Sequence, residues 1–139
     1  MKYGCLILEK KEYVYLKRIL NVSSYADDFQ TQKSLQKLND ELKEARIVDE
    51  ADMPSDIIRF NSVVQVSSHQ GWERTLQLVI PAESDFKQNK VSLLTPMGSA
   101  LIGYSKGDTI VWDFPGGVQN LLIEEVTQEK TAKALEFIL

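Results

Sequence analysis

Cysteine and histidine are scarce in this chain. Its 139 residues include one cysteine, Cys5, and one histidine, His69. A single cysteine cannot form an internal disulfide, and Cys5 begins an apolar run, so we expect a buried, reduced thiol in a cytoplasmic protein. His69 falls in a predicted turn without a cysteine pair or acid cluster beside it, which argues against a metal site or a catalytic triad. We therefore expect no metal and no cofactor.

Long apolar runs are also missing. None approaches the roughly 20 residues that a membrane-spanning helix needs, so no membrane association is expected. The apolar stretch at residues 5–8 is ended by Glu9-Lys10-Lys11 and is too short for a signal peptide. Excess positive charge is absent as well, because the net charge is −4 and residues 51–139 carry all of it. An acidic half repels phosphate backbones, so direct, sequence-specific binding of nucleic acid is not expected.

Helical periodicity dominates the first third of the chain. Apolar residues recur at helical spacing in two segments separated by the polar stretch 21–24, and Asp27 or Asp28 can cap the second helix. These apolar positions are Tyr13, Leu16 and Leu20, then Leu35, Leu38, Leu42 and Ala45. Two amphipathic helices with a short connection predict an antiparallel hairpin.

After a polar linker at residues 49–55, the pattern changes to the alternation typical of strands. A short helix is predicted at residues 96–102, after Pro96 and before Gly103. Residues 130–139 have mild helical spacing. The predicted strands are 62–67, 75–80, 91–94, 109–114 and 118–126. The chain is therefore predicted to be α+β, with a five-stranded, mainly antiparallel sheet.

Several residues that could carry chemistry have a simpler structural explanation. Glu83 and Asp85 could form an acid–base pair, but their loop setting favours a solvated surface. Trp112 shares a predicted strand face with Ile110 and Phe114, which indicates core packing, whereas Trp72 follows a glycine turn and is expected to be partly exposed. Residues 98–105 have the glycine spacing of a phosphate-binding loop, but a tyrosine replaces the required lysine.

Three separated motifs carry a family resemblance. They are the segment Val91-Ser92-Leu93-Leu94-Thr95-Pro96-Met97-Gly98-Ser99-Ala100-Leu101-Ile102-Gly103, then Lys106-Gly107-Asp108, then Phe114-Pro115-Gly116-Gly117. Together they resemble the carboxy-terminal domain of the GreA/GreB transcription factors. The linker and the shortened helical segment resemble those of the Rnk-like subgroup, the regulators of nucleoside diphosphate kinase. The residues in and after the linker that carry this likeness are Met53-Pro54, Asp56 and Asn61-Ser62.

The resemblance implies a short coiled-coil hairpin over residues 1–50 and an FKBP-like domain over residues 51–139. In this family the globular domain grips the rim of the secondary channel of bacterial RNA polymerase, and the hairpin enters that channel. By this likeness, the polymerase-binding residues are Leu94, Thr95, Pro96 and Met97. Leu94 departs from the family pattern, which usually has an acidic or polar residue there.

Asp27 and Asp28 fall at the predicted hairpin tip, where Gre factors carry acidic residues that help to hold the metal used in transcript cleavage. Carboxylates suit Mg²⁺, but a helix of eleven residues reaches only about 16 Å. We therefore expect a non-catalytic regulator of elongation that docks at the secondary channel. Two alternatives stay open: a short-armed cleavage factor, and an FKBP-like prolyl isomerase or chaperone. The isomerase needs an aromatic cleft, yet Phe60, Phe86 and Phe114 are readily assigned to the core.

Overall fold

The computed structural model describes residues 2–22, 29–114 and 116–128. The chain is α+β, with seven strands and three α-helices in the described residues. In chain order these are β1 (Ile7–Glu9), α1 (Lys10–Val22), α2 (Phe29–Leu42), β2 (Arg46–Val48), β3 (Val63–Ser68), β4 (Glu73–Val79), β5 (Lys90–Ser92), α3 (Pro96–Leu101), β6 (Thr109–Phe114) and β7 (Gly117–Thr127). Single 3₁₀ turns cover Glu50–Asp52, Pro81–Glu83 and Phe86–Gln88.

The main sheet contains five strands in the order β5-β4-β3-β7-β6. Its β3–β4, β3–β7 and β6–β7 pairs are antiparallel, and only the β4–β5 pair is parallel. The predicted five-stranded, mainly antiparallel sheet is confirmed, with strand ends that differ by at most two residues from the expected ones. Alternation explains this success, because the residues of β3 alternate between half-buried and buried along its whole length.

A second, two-stranded sheet was not predicted. Strand β1 pairs in parallel with β2, with Ile7 opposite Arg46. All three residues of β1 are buried, so the strand has no alternation to reveal it. The expectation of a buried thiol next to this strand is wrong, because Cys5 is only half-buried. It lies two residues before β1, directly after the exposed residues 2–4.

Both predicted helices are present, and their apolar stripes are buried. Leu16 and Leu38 have no exposed surface and belong to the same hydrophobic core as Leu78 and Ile123 of the sheet. Helix α2 contacts α3 and β6 as well as α1. Ala45 was assigned to the second helical stripe, but α2 ends at Leu42. Because Leu16 and Leu38 share one core with residues of the main sheet, the two apolar stripes pack against that sheet as well as against each other.

Some expectations fall outside the described residues. Asp27 and Asp28 do so, as does the connection between the two helices, so the antiparallel hairpin stays a prediction. The helical tail at residues 130–139 and the turn residue Pro115 lie outside as well. For Trp112 and Phe114 the backbone is part of β6, but their side chains are not among those described, and their core packing stays a prediction.

The phenylalanines that were expected in the core differ in how far they are buried. Phe60 is buried, and its ring meets that of Tyr15 edge to face at a centroid distance of 5.6 Å. Phe86 was assigned to the core, yet 85% of its surface is exposed. Its ring lies 6.0 Å from the guanidinium carbon of Arg74. Phe86 occupies a single 3₁₀ turn between strands, which places it outside the alternation that buries strand residues.

Candidate functional site

The candidate docking corner consists of Leu94, Thr95, Pro96 and Met97, where the chain leaves β5 and begins α3. Ser92, the last residue of β5, accepts a hydrogen bond on its Oγ from the Leu94 backbone N–H at 3.0 Å. Its carbonyl oxygen accepts a second bond from the Thr95 hydroxyl at 2.8 Å. Because Ser92, the residue that ends the strand, accepts both bonds, the sheet fixes the direction of the corner.

Helix α3 begins in a conventional way at this corner. Thr95 is the N-cap, and its hydroxyl oxygen accepts the Gly98 backbone N–H at 3.0 Å. Pro96 occupies the first turn, where its missing N–H costs nothing. Sequence reasoning placed this helix at residues 96–102, and the structure confirms it over Pro96–Leu101.

Gly98 lets the first turn of α3 approach β5 very closely. A Cβ at this position would lie 2.1 Å from the carbonyl oxygen of Ser92, a distance that no side chain tolerates. The glycine spacing that resembled a phosphate-binding loop thus has a packing role here. Gly103 has a similar role after the helix, because its φ of +84° and its contact with Leu6 both disfavour a side chain.

All four corner residues are half-buried. Leu94 and Met97 contact the hydrophobic core on one side, which holds them in place. None of the four has a titratable side chain, so the corner cannot perform acid–base chemistry. What it offers is a rigid edge of apolar surface with a proline and a methionine, the composition of a protein-binding surface.

A partly buried ionic network joins α1 to the segment before β3. Both carboxylate oxygens of Glu12 accept hydrogen bonds, one from Nε of Arg59 at 2.6 Å and one from the Phe60 backbone N–H at 3.1 Å. The remaining nitrogens of Arg59 donate to both oxygens of Glu50 at 2.7 Å. This network attaches the buried face of helix α1 to the chain segment that leads into the main sheet.

Burial raises the pKa of Glu12, and the opposing attraction of Arg59 does not cancel that effect. Burial alone would lower the pKa of Arg59, but its hydrogen bonds to Glu50 and Glu12 outweigh this and raise it. Arg59 in turn lowers the pKa of Glu50. Sequence reasoning missed this network, although one signal was available: Glu12 stands one helical turn before Leu16, on the apolar stripe of α1.

A second polar contact attaches α2 to the end of α3. The Tyr104 hydroxyl donates to Oε2 of Glu41 at 2.6 Å, across 63 residues of sequence. Burial, followed by this hydrogen bond, raises the pKa of Tyr104 above its ordinary value of 10.0. Lys37 adds a further link, because its ammonium donates to the Val111 carbonyl oxygen of β6 at 3.1 Å. Helix α2 is thus held to the sheet domain by polar and apolar contacts.

The other candidate residues are not brought together. His69 is exposed in a turn, and its Nδ1 accepts the Asn120 backbone N–H at 3.0 Å. Glu83 is exposed, whereas Asp85 is half-buried and caps a 3₁₀ turn by accepting from the Lys87 backbone N–H. Trp72 is half-buried, as expected, and donates its indole N–H to Gln119 at 3.1 Å.

Two further observations concern the described residues only. They contain no group of three or more histidine, cysteine, aspartate or glutamate side chains arranged to hold a metal ion. No helix among them has the length and apolar character to cross a bilayer.

Comparison with known proteins gives consistent results. The family model for the carboxy-terminal part of the GreA/GreB transcription elongation factors matches residues 53–128. The regulator of nucleoside diphosphate kinase from Escherichia coli K12 is 38% identical over 82 residues, which cover 58% of this chain and 60% of that protein. Transcription elongation factor GreA from Clostridium botulinum (strain Langeland) is 38% identical over 93 residues, 66% of this chain and 58% of that protein.

This chain therefore spans about 60% of the length of the curated relatives that it matches. Among solved structures, a prokaryotic transcription elongation factor GreA/GreB from Nitrosomonas europaea superposes with a TM-score of 0.70 at 32% identity. That superposition covers 89% of this chain and 98% of the other.

Proposed function

Because the chain belongs to the GreA/GreB family, we propose that it binds bacterial RNA polymerase and regulates transcription elongation without stimulating transcript cleavage. The proposed contact is the docking corner, Leu94–Met97, at the rim of the secondary channel. One observation carries this proposal. The family match covers residues 53–128, and within it lies the rigid, half-exposed corner that the family resemblance assigns to the polymerase contact.

The geometry of the corner supports a role in binding. Its backbone is already fixed by the bonds that Ser92 accepts and by the Thr95 cap, so little conformational entropy is lost when a partner is bound. Pro96 and Met97 present apolar surface that stays half-exposed while the neighbouring Leu93 is fully buried. A rim of a protein channel is a suitable partner for such an edge.

The proposal of a non-cleaving factor is supported by the length and packing of the helices. Helices α1 and α2 contain 13 and 14 residues, which corresponds to about 20 Å each. Leu16 and Leu38 are buried in the core that the helices share with the sheet, so only part of this length can project from the domain. We propose that acidic residues at the tip, Asp27 and Asp28, stop short of the polymerase active centre.

The remaining parts of the proposal follow from the same likeness. We propose that residues 51–139 form an FKBP-like domain, that residues 1–50 form a short helical hairpin, and that the protein acts in the cytoplasm, where its partner is found. The domain would act by binding and not as an enzyme. We therefore expect no prolyl isomerase activity on a short proline-containing peptide.

The docking corner is tested by capturing purified RNA polymerase on the immobilised protein. The double variant Pro96→Ala/Met97→Ala should weaken capture at least tenfold while circular dichroism shows an unchanged fold. A matched control is Pro81→Ala/Met53→Ala, which removes the same residue types at two other half-buried positions and should leave capture unchanged. Equal capture by both double variants would reject the corner as the contact. Release of the captured polymerase by a Gre factor in solution would indicate that both proteins use one polymerase site.

The cleavage expectation has a separate test. Stalled elongation complexes incubated with the protein should show no faster transcript shortening than complexes left alone. Strong stimulation that disappears in Asp27→Ala/Asp28→Ala would identify a short-armed cleavage factor instead.

A further inference from the structure

A solvent-open groove of about 1090 Å³ runs between α1 and α2. It is bounded by residues 13–21 of α1 and 32–40 of α2, a length of about 13 Å along each helix. This volume exceeds what a small metabolite fills, and a shallow groove between two helices is a common receptor for an amphipathic helix.

The floor of this groove is apolar. Leu20 and Leu35 form its buried part, with exposed fractions of 8% and 6%. Val14 adds a side chain that is 44% exposed, and Tyr13 is half-buried beside it. Tyr13 and Leu20 lie two turns apart on one face of α1, and together with Leu35 and the exposed Val14 they make up the apolar strip of the groove.

The walls of the groove are cationic. Lys17, Arg18, Lys33 and Lys37 line it, and Asp40 is the one acidic residue among its described lining residues. The carboxylate of Asp40 already accepts a hydrogen bond from Gln36 at 3.1 Å and lies 3.5 Å from the Lys43 ammonium. The charged residues of the lining thus sum to +3, in a chain whose net charge is −4.

From this combination we propose that the groove between α1 and α2 binds an acidic, amphipathic helical segment of a protein partner. The apolar strip receives one face of that segment, and the four cations attract its carboxylates and speed its association. The proposal concerns a surface on the helices and is independent of the docking corner.

A nucleic acid is a poorer fit to the same groove. The floor has one aromatic residue, the half-buried Tyr13, beside the aliphatic Val14, Leu20 and Leu35, whereas proteins that bind single strands stack successive bases on several aromatic rings. The acidic residues of the second half of the chain also repel a phosphate backbone. An acidic amphipathic helix suits both parts of the groove, because its carboxylates face the cationic walls while its apolar face covers the apolar floor.

The test uses a fluorescein-labelled peptide of about 14 residues, with leucine at one helical face and glutamate at most other positions. Fluorescence anisotropy should show binding to the full chain, and a scrambled peptide of the same composition should bind at least fivefold more weakly. The variants Arg18→Glu/Lys33→Glu and Val14→Asp should each weaken binding at least tenfold. The control Lys106→Glu changes an equally charged surface residue outside the groove and should have no effect.

Three outcomes would overturn the proposal. The first is equal affinity for the ordered and the scrambled peptide. The second is tighter binding of a single-stranded RNA of the same length, which would make the groove a nucleic-acid site. The third is self-association of the chain, measured by sedimentation, that the groove variants abolish, which would make a second copy the occupant.

Discussion

The carboxylate of Glu12 accepts a hydrogen bond from Nε of Arg59 at 2.6 Å, although 47 residues separate the two in sequence. Only 4% of the Glu12 side chain and 18% of the Arg59 side chain are exposed. Without Arg59 this buried charge would keep the Phe60 backbone N–H but lose its counter-charge, which is strongly unfavourable. The contact therefore links the position of α1 to the stability of the whole domain.

Replacing Arg59 with methionine should lower the free energy of unfolding by about 3 kcal/mol, because it leaves Glu12 buried without its cation. The matched control is Lys106→Met. Lys106 and Glu125 form an ion pair at 3.1 Å in which the side chains are 50% and 53% exposed, so its loss should cost less than about 1 kcal/mol. Urea unfolding at pH 7 measures both. Similar losses in the two variants would contradict the assignment of Arg59.

The pH dependence of the free energy of unfolding should include a contribution from the titration of Glu12. Its pKa in the folded protein is raised above the ordinary value of 4.5, mainly by burial. The folded state therefore holds this proton more tightly than the unfolded state. The resulting contribution to stability is fully present below the ordinary pKa and is lost as the pH rises through the raised one.

Glu12→Gln removes that titration. Relative to the parent chain, the variant should therefore gain stability as the pH rises from about 4 through the raised pKa. Urea unfolding curves at intervals of half a pH unit measure the difference. A constant difference, or one that falls with pH, would show that Glu12 does not titrate as described.

Tyr104 should contribute to the attachment of α2. Its hydroxyl donates to Oε2 of Glu41, and no described group donates to the buried Oε1 of the same carboxylate. Tyr104→Phe leaves Glu41 with one partner fewer and should lower the free energy of unfolding by about 2 kcal/mol. A double-mutant cycle with Glu41→Gln isolates the pair. A coupling energy near zero would mean that the contact does not stabilise α2.

Gly98 should be intolerant of any side chain. An added Cβ would lie 2.1 Å from the Ser92 carbonyl oxygen, which is backbone and cannot move aside easily. Gly98→Ala should cost about 3 kcal/mol and distort the docking corner. Gly116→Ala is the control, because nothing lies within 4 Å of a Cβ built there. Thermal unfolding compares them, and a stable Gly98→Ala protein would show that α3 can shift away from β5.

Periodicity along the chain was enough to locate most helices and strands, since each periodicity reports which residues of one segment face the core. Leu16 and Leu38 were identified in this way, as were the strands β3, β4, β6 and β7. The separated motifs at residues 91–103, 106–108 and 114–117 together indicated the family. The corner at Leu94–Met97 was located by likeness, and its role in binding stays a prediction.

Which segments meet is known only once the elements have packed together. The parallel pairing of β1 with β2, the contact between Glu12 and Arg59 and the exposure of Phe86 each depend on residues far away in the chain or on a turn without periodicity. The groove between α1 and α2 is a further case, because its charge comes from two helices that must first pack side by side. Local spacing describes one element at a time, whereas burial and charge pairing are properties of elements in contact.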